Sequence, residues 1–239
     1  MKSIFTSLFL CTTVLLLGQS PSAQNIIDAS IKAHGGSEYN NAHFSYDFRK
    51  YHYEFHYENG SYRYERHSQD GSTKDILTNE GFKRTEEGKE VELSEKKKRS
   101  YSNSVNSVHY FAFLPFFLND EAVNKKWIGE ATIKGKNYYK IQVTFNEAGG
   151  GDDHDDVYVY WFDKEDNTMD YLAYSFHVNG GGVRFRAAYN ARKVGGIIFQ
   201  DYINYKHDKT TAVDNLDELY EQNKLTELSK IELKNVRKL

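Results

Sequence analysis

Residues 44–57 read FSYDFRKYHYEFHY, and the way their aromatics alternate decides the class of fold. Phe44, Tyr46 and Phe48 fall on one side of an extended chain, with Ser45, Asp47 and Arg49 on the other. Side chains of a strand point alternately to its two faces, so this is the pattern of a half-buried β-strand. After Lys50 the aromatics move to odd positions: Tyr51, Tyr53, Phe55 and Tyr57. A slip of one in a period of two predicts a β-bulge near Arg49–Lys50, or a sheet covered on both faces. Asn59–Gly60 then reads as a hairpin turn, and residues 61–67, SYRYERH, as the returning strand.

The same grammar extends outward. Asp70–Gly71 and Glu87–Gly88 are turn signals on either side of TKDILTNEGFKR (73–84). A second series of strands is predicted at 127–135, 138–146, 157–162, 169–178, 183–193 and 197–207, with short polar or glycine-rich connectors. Residues 157–162, VYVYWF, are bulky on both faces and read as a central strand with each side covered. Helices are few. Residues 25–36, NIIDASIKAHGG, place Ile27, Ile31 and His34 on one stripe, with Gly35–Gly36 as the stop. Residues 101–126 break the strand pattern with the apolar run Phe111–Leu118, which Pro115 interrupts. They predict a helix or lid segment inserted into the core, then a helical turn at 120–124. Residues 212–236 begin as a helix and finish as a strand.

Composition agrees with a mainly β protein carrying a few helices: 19 Tyr and 15 Phe against 2 Pro in 239 residues. Lys2 followed by the apolar stretch Ile4–Leu17 is the pattern of a signal peptide, with cleavage expected near Ser22 or Ala23. The expected layout is residues 1–23 as signal peptide and 24–239 as one domain, in a periplasmic or secreted protein. Cys11 is the single cysteine, and Leu8, Phe9 and Leu10 before it are not the small residues of a lipid-attachment site. Without disulfides the exported chain depends on core burial alone. A net charge of −3 argues against a nucleic-acid partner. A mean hydropathy of −0.73, with no second apolar span, argues against an integral membrane protein.

Polar motifs are scattered and incomplete. Residues 149–156, GGGDDHDD, fail the spacing of a calcium EF-loop in both registers, because Val157 falls where oxygen or glycine is required. A looser metal site would use Asp153, Asp155 and Asp156 with His154, making the Asp152–Asp156 loop the basis of a metal-dependent enzyme or calcium-binding protein. The plainer account is a charged hairpin that keeps a hydrophobic strand soluble, and it is preferred. His52, Glu54 and His56 have a spacing that can hold zinc, but Lys50 and Glu58 beside them mark an ordinary wet face. His109 and His177 read as core histidines. Ser104, Ser107 and His109 lack a recognisable third partner for nucleophilic catalysis, and no cofactor is expected.

Residues 29–51, ASIKAHGGSEYNNAHFSYDFRKY, resemble the opening of periplasmic proteins related to the lipoprotein carriers LolA and LolB, where a helix ending in Gly-Gly feeds the first long strand. Residues 57–71, 106–123 and 169–202 are similar to an uncharacterised group of exported Gram-negative proteins. The carrier resemblance implies a strongly curved antiparallel sheet, an incomplete β-barrel, wrapped around helices and enclosing an apolar hollow. The function it implies is non-catalytic binding of a lipid or other apolar small molecule. Phe111, Phe113, Leu114, Phe116 and Phe117 would contact the chain, Phe176 and Phe185 would line the concave face, and Arg184 or Arg186 would meet a headgroup. An envelope structural or interaction module is a further alternative, in which an envelope protein would be the partner.

Overall fold

The aromatic slip at Arg49–Lys50 is a two-residue hairpin turn, not a bulge. Strand β1 (Asn41–Phe48) pairs antiparallel with β2 (Tyr51–Glu58), Phe48 facing Tyr51, Tyr46 facing Tyr53 and Phe44 facing Phe55. A two-residue loop always sets an even position against an odd one, so the change of phase keeps every aromatic on the same side of the hairpin. Arg49 takes φ 54, the left-handed conformation that such turns use.

The computed structural model describes residues 22–148, 155–177 and 180–239. Beyond β2 the chain forms β3 (Ser61–Ser68), β4 (Thr73–Thr78), β5 (Gly81–Glu86) and the short β6 (Lys89–Glu90). Next come β7 (Val123–Ile133), β8 (Lys136–Phe145), β9 (Tyr158–Asp163) and β10 (Met169–Phe176). Strands β11 (Gly182–Val194), β12 (Ile197–His207), β13 (Thr226–Ile231) and β14 (Lys234–Lys238) complete the series. They form two seven-stranded antiparallel sheets, ordered β14-β1-β2-β3-β4-β5-β6 and β13-β12-β11-β10-β9-β8-β7.

The predicted C-terminal strand is thus two strands, one on the edge of each sheet. Between them the Leu233 N–H donates to Asp201 (2.9 Å), and Arg192 pairs with Asp201 and donates to the Leu233 carbonyl. This stitch joins the sheets along one side, while β6 and β7 remain as edges on the other. The curved, incomplete barrel expected from the sequence is therefore present as two joined sheets that do not close.

Helix α1 (Ala23–His34) starts at Ser22, whose hydroxyl accepts from the Asn25 N–H, and buries Ile26, Ile27 and His34 between the sheets. Helix α2 (Glu95–Ala112) begins six residues before the predicted segment, because its first turns, EKKKR, are charged and show no apolar stripe. It buries Val105, Val108, His109 and Ala112. Pro115 stops it, a 3-10 turn follows at Phe116–Asn119, and β7 starts at Val123. The helical turn expected at 120–124 lies earlier for that reason.

One core fills the space between the sheets, and a second cluster lies on the far face of the β7–β13 sheet. There α3 (Leu216–Glu221) and Val213 cover Val159, Trp161 and Phe185, so α3 sits outside the curve while α1 and α2 sit within it. Strand β9 is covered on both sides as its sequence suggested: Tyr160 and Phe162 face the main core, Val159 and Trp161 the second cluster. Among the described residues, no helix is long and apolar enough to cross a membrane.

Phe113 is fully buried, stacked on Phe55 with ring centroids 3.7 Å apart and edge-on to Phe199 at 5.3 Å. Phe113→Ala is expected to cost about 3–5 kcal/mol in denaturant unfolding, the usual cost of deleting a buried phenyl ring. Phe111→Ala, at a half-buried position, is expected to cost well under half as much.

Candidate functional site

A cleft of about 1130 Å³, open to solvent, lies between α2 and the two sheets. It is slightly larger than most small-molecule sites, which run from about 300 to 1,000 Å³. The β1–β6 sheet contributes Tyr51, Tyr53, Tyr57, Tyr62, Tyr64 and Leu77; the other sheet contributes Tyr158, Tyr160, Leu172, Tyr174 and Phe176. Helix α2 turns Asn103, Asn106, Ser107, Tyr110 and Phe111 toward it, a stripe at spacings of three and four. The wall mixes ring faces with hydroxyls and amides.

Exposed Arg49 lies on the wall, and the other arginines there fall into two groups. Arg66 is buried and neutralised: it bonds Asp75 (2.5 Å) and donates to the Ser104 hydroxyl (2.8 Å). Arg184 and Arg186 belong to no ion pair among the described residues. Arg184 lies over the Phe176 ring (4.7 Å), and Arg186 donates to the Tyr174 hydroxyl (3.0 Å) and lies over the rings of Tyr174 and Phe111. Phe176 reaches this position across Gly182, where a Cβ would come within 2.8 Å of its ring. Asp120 also lines the cleft; its carboxylate keeps an open surface, yet the protein packed around it pushes its pKa up to about 6, against the pull of Lys125.

Behind the cleft, His109 is fully buried. Its Nε2 faces the Glu65 carbonyl (3.3 Å), which can only accept, so Nε2 donates and Nδ1 accepts from the Tyr46 hydroxyl (2.7 Å). Burial holds its pKa down to about 3, and the ring is neutral. With Ser104 accepting from Arg66 and His109 bonded to Tyr46 and the Glu65 carbonyl, these two side chains of α2 are engaged in holding the helix to its sheet.

Six of the expected ligand-contacting residues line the cleft together: Phe111, Leu114, Phe117, Phe176, Arg184 and Arg186. Three do not. Phe113 is core, and Phe116 stacks on Tyr39 (4.6 Å) and meets Tyr57 edge-on (5.1 Å). Phe185 sits on the far face of its sheet against Trp161, Tyr171 and Tyr220. Strand parity requires this, since a residue between Arg184 and Arg186 cannot share their face. The tyrosines of β2 and β3 were not singled out as ligand-facing, although the odd-numbered alternation already placed Tyr51, Tyr53 and Tyr57 on one side.

Of the acidic loop, Asp152, Asp153 and His154 lie outside the described residues. Asp155 is exposed and Asp156 buried; both face His177, at 3.6 and 3.4 Å. The ligand atoms of these three lie within 4.8 Å of one another. His177 is exposed, contrary to the core position expected for it. Nor do His52, Glu54 and His56 act as a set: His52 pairs with Asp47 (2.7 Å), and His56 stacks on His43. Glu54 lies 4.0 Å from His52 and also approaches Glu65 and His67. Burial would raise the Glu65 pKa, but hydrogen bonds from His67 and Lys74, with Arg63 beside them, hold it down to about 2.

The sequence profile of DUF6503, a family of unknown function, matches residues 2–233. A crystal structure of a DUF1329 family protein from Desulfovibrio piger shares the fold with a TM-score of 0.56 and 11% identity, over 90% of this chain and 92% of that one. A LolA superfamily protein from Nitrosomonas europaea gives a TM-score of 0.54 at 10% identity, over 91% and 94%. The likeness is one of fold, and it shows the LolA-like architecture that the helix–Gly-Gly–strand opening implied. No curated protein matches the sequence.

The unfolded chain protonates His109 near its ordinary value of 6.5, whereas the folded protein does so only near pH 3. Stability from this residue is therefore complete above about pH 6.5 and is lost as the pH falls toward 3. Between pH 7 and pH 5 the loss is expected to be about 2 kcal/mol, and His109→Gln to flatten the profile by that amount in denaturant unfolding at the two pH values.

Proposed function

The chain belongs to the DUF6503 family, and from its LolA-like fold and open cleft we propose a periplasmic carrier that binds an apolar ligand, a lipid or acyl chain, without catalysis. On this reading residues 1–23 are an export signal and residues 24–239 one binding domain. The observation that carries the proposal is the unfilled space of about 1130 Å³ left between α2 and the sheets. Its floor presents Phe111, Leu114, Phe117 and Leu172, and burying a chain against such side chains gains about 25 cal/mol per Å² of apolar area.

An interaction module would offer an apolar surface to its partner. Among the described residues the exposed large hydrophobics are only Leu228 and Leu239, near the C-terminal end. That supports a ligand inside the protein over a partner upon it. A metal-dependent reading keeps one specific observation, the meeting of Asp155, Asp156 and His177, and elemental analysis of the purified protein tests it directly.

Native mass spectrometry of protein purified from the envelope of its own organism is expected to show a mass increment that organic extraction removes. Ser107 is an exposed residue of α2 facing the cleft. Ser107→Trp is expected to weaken binding of a fluorescent acyl probe at least about tenfold with Tm unchanged, since it fills ligand space and not the core. Ligand-free native protein together with no probe binding would sink the carrier reading.

A further inference from the structure

Four arginines line the cleft: Arg49 is exposed, Arg66 is paired with Asp75, and Arg184 and Arg186 are half-buried with no ion pair among the described residues. The protein neutralises its other half-buried and buried arginines: Arg66 and Arg84 share Asp75, and Arg192 pairs with Asp201. Arg184 and Arg186, two residues apart on β11 and so on one face, both line the cleft and form no ion pair among the described residues. The carboxylates on the same wall, Asp120 and Asp156, bond neither of them.

Arg186 carries the stronger signal. Its Nε is buried without an acceptor, although a buried N–H of a cation is costly to leave unsatisfied. Its plane is held by the rings of Tyr174 (5.1 Å) and Phe111 (5.9 Å) and by the bond to the Tyr174 hydroxyl. Directly opposite on β12, Asn204 has a buried Oδ1 that also lacks a partner. The buried Nε is closed off from the cleft, so a ligand would be met by the terminal nitrogens, of which Nη2 also donates to Tyr174 and Nη1 makes no hydrogen bond among the described residues. A guanidinium held this way suits a carboxylate or phosphate.

We infer that Arg186, with Arg184 beside it, anchors the anionic headgroup of an amphiphile whose apolar part lies against Phe111, Leu114 and Phe117. The ligand class is a carboxylate- or phosphate-bearing lipid and not a neutral one. This inference rests on the carrier reading and narrows it.

The full-length exported protein is titrated with oleate, oleoyl lysophosphatidate, oleyl alcohol and inorganic phosphate. At least one acidic lipid is expected to bind about tenfold or more tightly than the alcohol, the scale of a charge-assisted hydrogen bond. Arg186→Gln is expected to reduce that gap to within about twofold, and Arg186→Lys to retain part of it. Equal binding of acids and alcohol by the wild type leaves the carrier standing and overturns the headgroup assignment. So does a folded Arg186→Gln protein that keeps the gap. Should Arg186→Gln fail to fold, the wild-type ratio and Arg186→Lys decide, an undiminished gap in the lysine variant counting against a bidentate fork. Phosphate binding with no lipid binding makes this a small-anion site and overturns both readings, and no binding of any lipid overturns both as well.

Discussion

The Phe55–Phe113–Phe199 contact sets the spacing on which the rest of the structure depends. Phe55 belongs to one sheet and Phe199 to the other, and the Phe113 ring stands between them, stacked on the first and edge-on to the second. Offset and edge-on ring contacts add to the area that three such side chains bury. Because the wedge comes from the loop after α2, it props the sheets at one level and leaves the level beside α2 unfilled. The stitch of β13 and β14 holds the same two sheets along one side, so the opening is fixed by covalent connection there and by the ring wedge within.

Helix α2 could have filled that opening, and its polar contacts explain why it does not. Arg66 reaches the Ser104 hydroxyl, His109 bonds Tyr46 and the Glu65 carbonyl, and Arg84 lies over the Tyr101 ring at 3.6 Å. All of these partners lie on the β1–β6 sheet or face it from the helix. Hydrogen bonds and cation–π contacts are directional, and a buried donor or acceptor that loses its partner costs more than a shifted apolar contact. The helix is therefore pinned to one sheet, and the distance to the other is left to a ligand-sized space.

Most of the sheet was legible because strand parity is rigid. The β1–β2 aromatics, the two covered faces of β9 and the glycine-marked turns follow from alternation alone. Two errors came from not following parity far enough. Phe185 cannot share the face of the arginines that flank it, and the slip at Arg49–Lys50, which suggests a bulge or a sheet covered on both faces, is a two-residue turn that reverses phase of necessity. The start of α2 at Glu95 was hidden by a charged, exposed first turn, and the division of the C-terminal strand between two sheets depends on Asp201 and Arg192, some thirty residues or more away in sequence. The cleft itself had no local signal, since its walls come from both sheets and a helix.

The chemistry of the wall suits a space that meets water as well as a ligand. A purely apolar cleft of this size, open to water, would be an aggregation surface. Here tyrosines replace phenylalanines over much of the wall, and α2 presents amides and hydroxyls. A phenol offers a ring face to a hydrocarbon chain and an O–H to water or to a headgroup, so the same surface is wettable when vacant and apolar enough when filled. Burial raises the pKa of Tyr64 and Tyr110, which keeps these phenols neutral. Arg184 and Arg186 then stand out as half-buried cations of the wall that have no ion pair among the described residues.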